Sequence, residues 1–307
     1  MIYPSPCINA CRVENSGCKD CRRSLDEIAA WSSIEPVDQQ DILRRCLARR
    51  QNEITTIAKD QIGRLISVKQ PVQRIVSLVP SLSQTLFDLG LQEYVVGISS
   101  YCPSGTGSKR VVGGTKNPRL RSIRELSPDL ILANKEENRE EDIAQLSKEF
   151  PTWVSDANDI EASLRLIVHL GFLLRRFDEA IKFIETIEIA MAAVKGKFRG
   201  LSCAYLIWDK PLMAAGNQTL IHSILKHLGF HNMLDSIPRY PEISLNILQE
   251  ACPSVLFLPD EPYSFSEAEA KSFSVLLPKT KVIRVEGRHF CWNGTAMHDG
   301  FQYFTTL

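Results

Sequence analysis

Apolar positions along this chain fall into short, separated runs whose spacing changes character near residue 54. Before that point, SLDEIAAWSSI carries Ile28 and Trp31 at helical spacing behind Ser24 and Glu27, the two ends of a capping box, and a second helix is predicted from Pro36 to Arg50. After it, ITTIAKDQIGRLISVKQPVQRIVSLVPSLSQTLFDLG reads as strand, turn at Gly63, strand, and then a buried strand over Arg74 to Val79 feeding a helix. The runs YVVGISS, DLILANK and TWVSD alternate with the helical stretches LRSIREL and REEDIAQLSKEF, as in an α/β unit. A helical stretch with few breakers covers 159–199, apart from Gly171 and Gly196. The α/β texture then returns with CAYLIW, a helix from Thr219 to Leu228, VLFLP, KVIRV and a closing helix near Met297 to Phe304. The pattern predicts two α/β lobes joined by helix.

Composition narrows the partners. The chain has 307 residues, 44% hydrophobic, enough for more than one core, and its 36 Lys plus Arg balance 36 Asp plus Glu. That balance removes the electrostatic case for nucleic acid or an anionic membrane surface as an obligatory partner. No run reaches the roughly 18 apolar residues of a membrane helix, so no membrane insertion is expected. The N-terminus lacks the basic start and apolar centre of a secretory leader, which leads us to expect a cytoplasmic protein. In a reducing compartment, closely spaced thiols favour a metal over a disulfide, and an odd total of nine cysteines argues against a fully paired framework.

Four of those cysteines open the chain in CINACRVENSGCKDC. Cys7 and Cys11 are four apart, so one helical turn would present both sulfurs on one face. Cys18 and Cys21 form a CxxC knuckle beside Gly17, a residue able to take positive φ. Four thiolates suit zinc or an iron–sulfur cluster, and a segment this short would draw folding energy from the metal. A redox disulfide pair and inert buried thiols are the alternatives. The RRCLARR run gives the second helix a basic end, which reads as a solvated end or as a contact for an acidic protein partner.

The head, with PSPCINAC, GCKDC and SLDEIAAWSSI over about residues 3–50, resembles a family of short bacterial proteins described as candidate iron–sulfur proteins. From residue 54 onward, QRIVSLVPSLSQTLFDLG, VVGISSYC, SPDLILANKEEN, MAAGNQTLIHSILKHLGFHNML and RYPEISLNIL resemble the substrate-binding proteins of cobalamin and iron-siderophore importers, nearest to the helical-backbone metal receptors. The resemblance implies a class III fold: two Rossmann-like lobes joined by a long backbone helix, preceded by a small metal-bound helical domain. Its boundaries would be 1–51 for the four-cysteine domain, 52–158 for the first lobe, 159–199 for the backbone helix and 200–307 for the second lobe.

It also implies a ligand, a cobalamin-like corrinoid or another metal chelate of siderophore or tetrapyrrole type, held in the cleft between the lobes by loops that follow strands. Tyr101, Lys116, Asn117, Lys135, Glu136, Glu137, Trp208, Arg239, Tyr240, His289, Phe290 and Trp292 fall in those loops. Aromatics offer flat apolar contact, Arg and Lys pair peripheral carboxylates, and a neutral His289 imidazole can ligate iron or cobalt. Family members dock their permease through one glutamate on each lobe; the matching positions here are Arg121 and Asn246, which puts permease docking in doubt. No Walker loop, dinucleotide-type GxGxxG or HExxH is present, and no residue is assigned a catalytic role. Two other functions stay open: an iron–sulfur redox protein acting on a ligand in the cleft, and a zinc-stapled adaptor binding a protein partner.

Overall fold

A computed structural model describes residues 3, 5–7, 12–14, 17–102 and 109–307. The chain divides into two compact units, Met1–Asp156 with Leu164–Phe183, and Ala157–Ser163 with Ile184–Leu307.

The first unit begins with a short antiparallel pair, β1 (Val13–Glu14) and β2 (Gly17–Cys18), followed by α1 (Leu25–Ala30) and α2 (Pro36–Arg49). The capping box is present: the Glu27 backbone N–H donates to Ser24 Oγ at 3.1 Å, and the Ser24 N–H returns a bond to Glu27 Oε2 at 2.8 Å. Glu27 also receives Arg49 at 2.6 Å and Arg45 at 2.9 Å from α2, so one carboxylate ties the two helices together. Gln39 adds a second tie, accepting from the Tyr3 N–H and donating to Trp31 O. Tyr3, Ile42, Leu43, Cys46, Cys18 and Cys21 are buried, giving the head a small core.

The hairpin β3 (Thr55–Lys59) and β4 (Leu65–Lys69) follows, with Gly63 at φ +90° in its turn. Then come β5 (Ile75–Ser77), α3 (Pro80–Asp88), β6 (Val95–Ile98), β7 (Arg110–Val111), α4 (Leu120–Leu126), β8 (Leu130–Asn134), α5 (Glu140–Ser147) and β9 (Thr152–Ser155). These build a five-stranded parallel sheet in the order β7-β6-β5-β8-β9. β5, β8 and β9 are buried at every position, which is why they read as unbroken apolar runs rather than as alternation.

The stretch 159–199, expected as one backbone helix, is two: α6 (Ile160–Leu173) and α7 (Phe177–Val194). Arg175 adopts left-handed backbone at φ +57°, a conformation that ends an α-helix, and no Gly or Pro at that position signals the break.

The second unit continues with β10 (Ser202–Trp208), β11 (Met213–Ala214), α8 (Leu220–Leu228), β12 (His231–Asn232), α9 (Leu245–Ala251), β13 (Val255–Pro259), α10 (Glu267–Leu276), β14 (Lys281–Val285), α11 (Arg288–Cys291) and α12 (Met297–Tyr303). Its sheet runs β11-β10-β13-β14, with β12 also pairing β10; only β11 is antiparallel. Thr219 caps α8 by accepting from the His222 N–H, and Gly229 at φ +93° closes it. No helix among the described residues is long and apolar enough to cross a membrane.

Two readings of the head change. Gly17 does not take positive φ; it is needed because a Cβ there would stand 2.9 Å from Arg23 O, and the left-handed residue of the knuckle is Arg22 at φ +62°. The RRCLARR arginines are engaged within the chain: Arg44 with Asp41 and Asp178, Arg45 and Arg49 with Glu27, and Arg50 buried against Asp20 O.

The hydrogen bond from Arg49 first, with those from the Ser24 N–H and Arg45, outweighs burial and holds the Glu27 carboxyl below its ordinary 4.5, at about 2. A depressed carboxyl contributes stability above its ordinary value and loses it as pH falls toward the folded value. Glu27→Gln should therefore cost about 2 kcal/mol at pH 7, allowing for partial solvent screening. Chemical denaturation of both proteins from pH 7 to pH 2 should show that difference closing below about pH 4.5.

Candidate functional site

In the first unit, the loops at the carboxyl ends of β6, β7 and β8 gather half of the expected ligand residues, as open parallel sheets require. Asn134, the last residue of β8, organises them. Its Oδ1 accepts the backbone N–H groups of Glu136 at 2.9 Å and Glu137 at 3.0 Å; its Nδ2 donates to Ser155 Oγ at 2.9 Å; and its own N–H donates to Asn138 Oδ1 at 2.8 Å. Asn138 in turn donates to Thr115 O, and Lys116 Nζ donates to Glu136 O, so the GGTKN and KEEN loops are joined. Gly114 lies so close to Asn117 that a Cβ would run into Asn117 Oδ1 and approach the Tyr101 ring at 3.3 Å. Tyr101, Asn117, Lys116 and Glu136 thus share one rim, with Tyr101 65% exposed. Lys135 points its charge at Asp156, 2.7 Å away. The surroundings of the Glu137 carboxyl raise its pKa by desolvation, against the pull of Lys116.

The second unit arranges its candidates in two groups. Trp208, at the end of β10, is 41% exposed, donates from Nε1 to Lys210 O at 3.1 Å and lies 5.4 Å from the Tyr263 ring. Tyr263 donates to Glu269 at 2.6 Å, a bond that is the main cause of its pKa rising to about 12. Arg239 sits at φ +65°, donates to Gln218 O at 2.7 Å and to Asn158 Oδ1 at 3.2 Å, and lies over the Tyr240 ring. Trp292 is half-buried.

His289 and Phe290 differ from the expectation of ligand contact. His289 is buried, stacked on Tyr303 with centroids 4.5 Å apart, and its Nε2 is 3.4 Å from Glu286. Burial first, then Arg288, lowers its pKa, so the ring is neutral at pH 7. Phe290 is fully buried between Tyr205, Phe257 and Phe304 and belongs to the core. The physical reason is local. In the short helix α11 the aromatic that follows His289 turns inward to fill the space under α12, and RHFCWN alone gives no periodicity long enough to tell the two faces apart.

At the head, Cys18 and Cys21 are both buried and hydrogen-bond to each other. Burial raises the Cys18 thiol, but donation by the backbone N–H groups of Cys21 and Asp20 and by the Cys21 thiol outweighs it, leaving Cys18 below its ordinary value. That is the chemistry of a pair that can share a soft cation. Cys7 is half-buried, and Cys11 lies outside the described residues. Cys7, Cys18 and Cys21 are all described, yet among the described residues no group of three or more His, Cys, Asp or Glu is arranged to hold a metal; of the expected four-thiolate set only the Cys18–Cys21 pair is brought together. Cys46, pushed up to about 12 mainly by burial, is a neutral core thiol.

Residues 75–273 match the periplasmic binding protein family. The chain belongs to that family. Residues 5–50 match a second one, a protein family of unknown function (DUF1289). Among curated relatives of this periplasmic binding protein family member, a vitamin B12-binding protein of Vibrio parahaemolyticus is 23% identical over 201 residues, covering 63% of this chain and 73% of that protein. A vitamin B12-binding protein of Pectobacterium carotovorum is 25% identical over 202 residues, covering 62% and 72%. In fold, the chain is similar to a periplasmic vitamin B12-binding protein of Vibrio cholerae, with a TM-score of 0.65 at 19% identity over 77% of this chain and 96% of that one. It is also similar to a periplasmic heme-binding protein of the same species, with a TM-score of 0.66 at 18% identity over 76% and 98%. The α/β fold with parallel-sheet lobes is that of class III binding proteins.

Sequence reasoning missed Asn134, Asn138 and Asp156, which shape the first rim, and Tyr263, which pairs with Trp208. Asn134 carried a signal, a polar residue closing the apolar run DLILAN; Tyr263 carried none, because its partner is 55 positions away and on another element. For Phe290, the core placement predicts that Phe290→Ala will destabilise the protein by about 3–5 kcal/mol in chemical denaturation. Trp208→Ala, at a site 41% exposed, should stay within about 1 kcal/mol of wild type.

Proposed function

We propose that this protein binds a metal chelate of corrinoid, tetrapyrrole or siderophore type through loops that follow its sheet strands, and that its cysteine-rich head holds zinc or an iron–sulfur cluster. The observation that carries the ligand reading is the family match over 75–273, supported by the names of the vitamin B12-binding and heme-binding relatives. The exposed aromatics Tyr101 and Trp208 and the cations Lys116, Lys135 and Arg239 suit a flat, partly apolar ligand with a carboxylate or amide edge. We place the protein in the cytoplasm, where closely spaced thiols stay reduced and available to a metal. With Arg121 exposed beside Glu125 and Asn246 exposed at the start of α9, the reading includes loss of the permease partner.

The lowered Cys18 thiol favours the metal reading of the head over inert thiols. A bound metal would supply folding energy if zinc, and redox capacity if a cluster. Elemental analysis of protein purified without air is expected to give zinc or iron in stoichiometric amount, falling when Cys18 and Cys21 are both changed to Ser. Spectroscopic and calorimetric titration with hydroxocobalamin, hemin and a ferric hydroxamate is expected to give saturable one-to-one binding to one of the three. Flat titrations with all three would overturn the ligand reading, and metal-free protein would overturn the head reading. Cell fractionation that recovers the chain from the periplasm would overturn the location.

A further inference from the structure

Away from the strand-end rims, the first unit contains a cavity of about 60 Å³ bounded by the head on one side and by β3, β9 and α6 on the other. Its lining holds two cationic residues, Arg50 at the end of α2 and Lys59 at the end of β3, and, among the described residues, no carboxylate. Arg50 is only 4% exposed. One nitrogen of its guanidinium donates to Asp20 O, and the face of the group lies over the Phe172 ring at 5.0 Å. Its Nε is buried and has no hydrogen-bond acceptor among the described residues. Glu53 Oε2 stands 4.0 Å from that Nε, beyond hydrogen-bond length, while Arg22 Nε takes Glu53 Oε1 at 2.5 Å. A buried guanidinium with a donor unmatched is costly, and one carboxylate shared by two arginines leaves an excess of positive charge.

A second unmatched group lines the same space. His169, on α6, has a buried Nδ1 without a partner among the described residues, its ring set edge-on to Trp153. Burial, and then Arg165, lowers its pKa to about 4, so the ring is neutral at pH 7 and can present an N–H from Nδ1. The remaining walls include Phe172 and Trp153, which are apolar.

From this arrangement we propose that the cavity is a binding site for a small carboxylate, whose two oxygens accept from Arg50 Nε and His169 Nδ1 while a short apolar tail lies against Phe172 and Trp153. Two unmatched donors suit a two-oxygen head. A single water needs about 10–15 Å³ of such space, so the cavity has room for about four, which suits an acid of two or three carbons. The occupant would bridge the head, through Arg50, to the α/β layer, through His169. This site is separate from the metal chelate reading and does not depend on it.

The test uses the full-length protein and sodium [1-13C]propionate, followed by carboxyl NMR shift and by thermal melting at constant ionic strength. Wild type should show saturable binding and a rise in melting temperature. His169→Phe, which keeps the ring volume and removes the donor, should weaken binding at least tenfold, and Arg50→Lys should do the same. Should Arg50→Lys fail to fold, His169→Phe alone decides. The proposal is overturned by an absence of saturable binding in wild type, by His169→Phe binding propionate as tightly as wild type, or by sulfate displacing propionate at equal concentration.

Discussion

A parallel sheet buried on both faces leaves chemistry nowhere to go but the ends of its strands. In the first unit β5, β8 and β9 are buried at every position, and in the second β13 is. Their backbone groups are matched inside the ladder and their side chains are committed to two apolar faces. Polar residues can enter only where the ladder stops, and Asn134 stands at that limit. It is 4% exposed, still inside the sheet by position, yet its Oδ1 and backbone N–H serve the loop that follows while its Nδ2 ties β8 to Ser155 of β9. The result is a rigid support under Lys135, Glu136 and Glu137. Their backbone is held before any ligand arrives, and Lys135 is paired with Asp156.

The elements legible in the sequence were those whose cause is local. Continuous apolar runs marked β8 and β13, Ser24 with Glu27 marked the start of α1, the helical run from Thr219 to Leu228 marked α8, and Gly63 marked the hairpin. What escaped depends on distant partners. Arg175 breaks a helix without any residue type that announces a break, and Phe290 faces inward because Tyr205, Phe257 and Phe304, far off in the chain, leave room for it. For the candidate site, loop position after a strand was enough to place Tyr101, Lys116 and Asn117 on one rim. It could not separate Phe290 from its neighbours, since four residues of helix carry no period.

The head shows how a small segment with few apolar residues is held. Its arginines are distributed one by one: Arg12 to Asp20, Arg22 to Glu53, Arg45 and Arg49 to Glu27, Arg23 over the Trp31 ring, and Arg50 into the interior. Charge that reads as a basic patch in the sequence is largely internal wiring in the structure. A surface partner would meet a helix whose guanidiniums are already engaged, which weakens the case for an acidic protein docking there.

The break between α6 and α7 and the seat of the head are one structural event. Helix α2 ends at Arg49, and the carbonyls beyond its last turn have no partner within the helix. Arg175 supplies the donors: its Nη2 reaches Arg50 O and Glu53 O, and its Nη1 reaches Gln51 O, each at 3.1 Å. Had 159–199 continued as one helix, residue 175 would have followed the helical path. The left-handed turn at φ +57° instead redirects the chain and presents the guanidinium to α2. Left-handed backbone costs a non-glycine residue on the order of 1 kcal/mol. Three charge-assisted hydrogen bonds exceed that cost, so the strain persists where the contacts over-determine it. It follows that the head is not merely tethered to the α/β layer by residues 51–54 but capped by it.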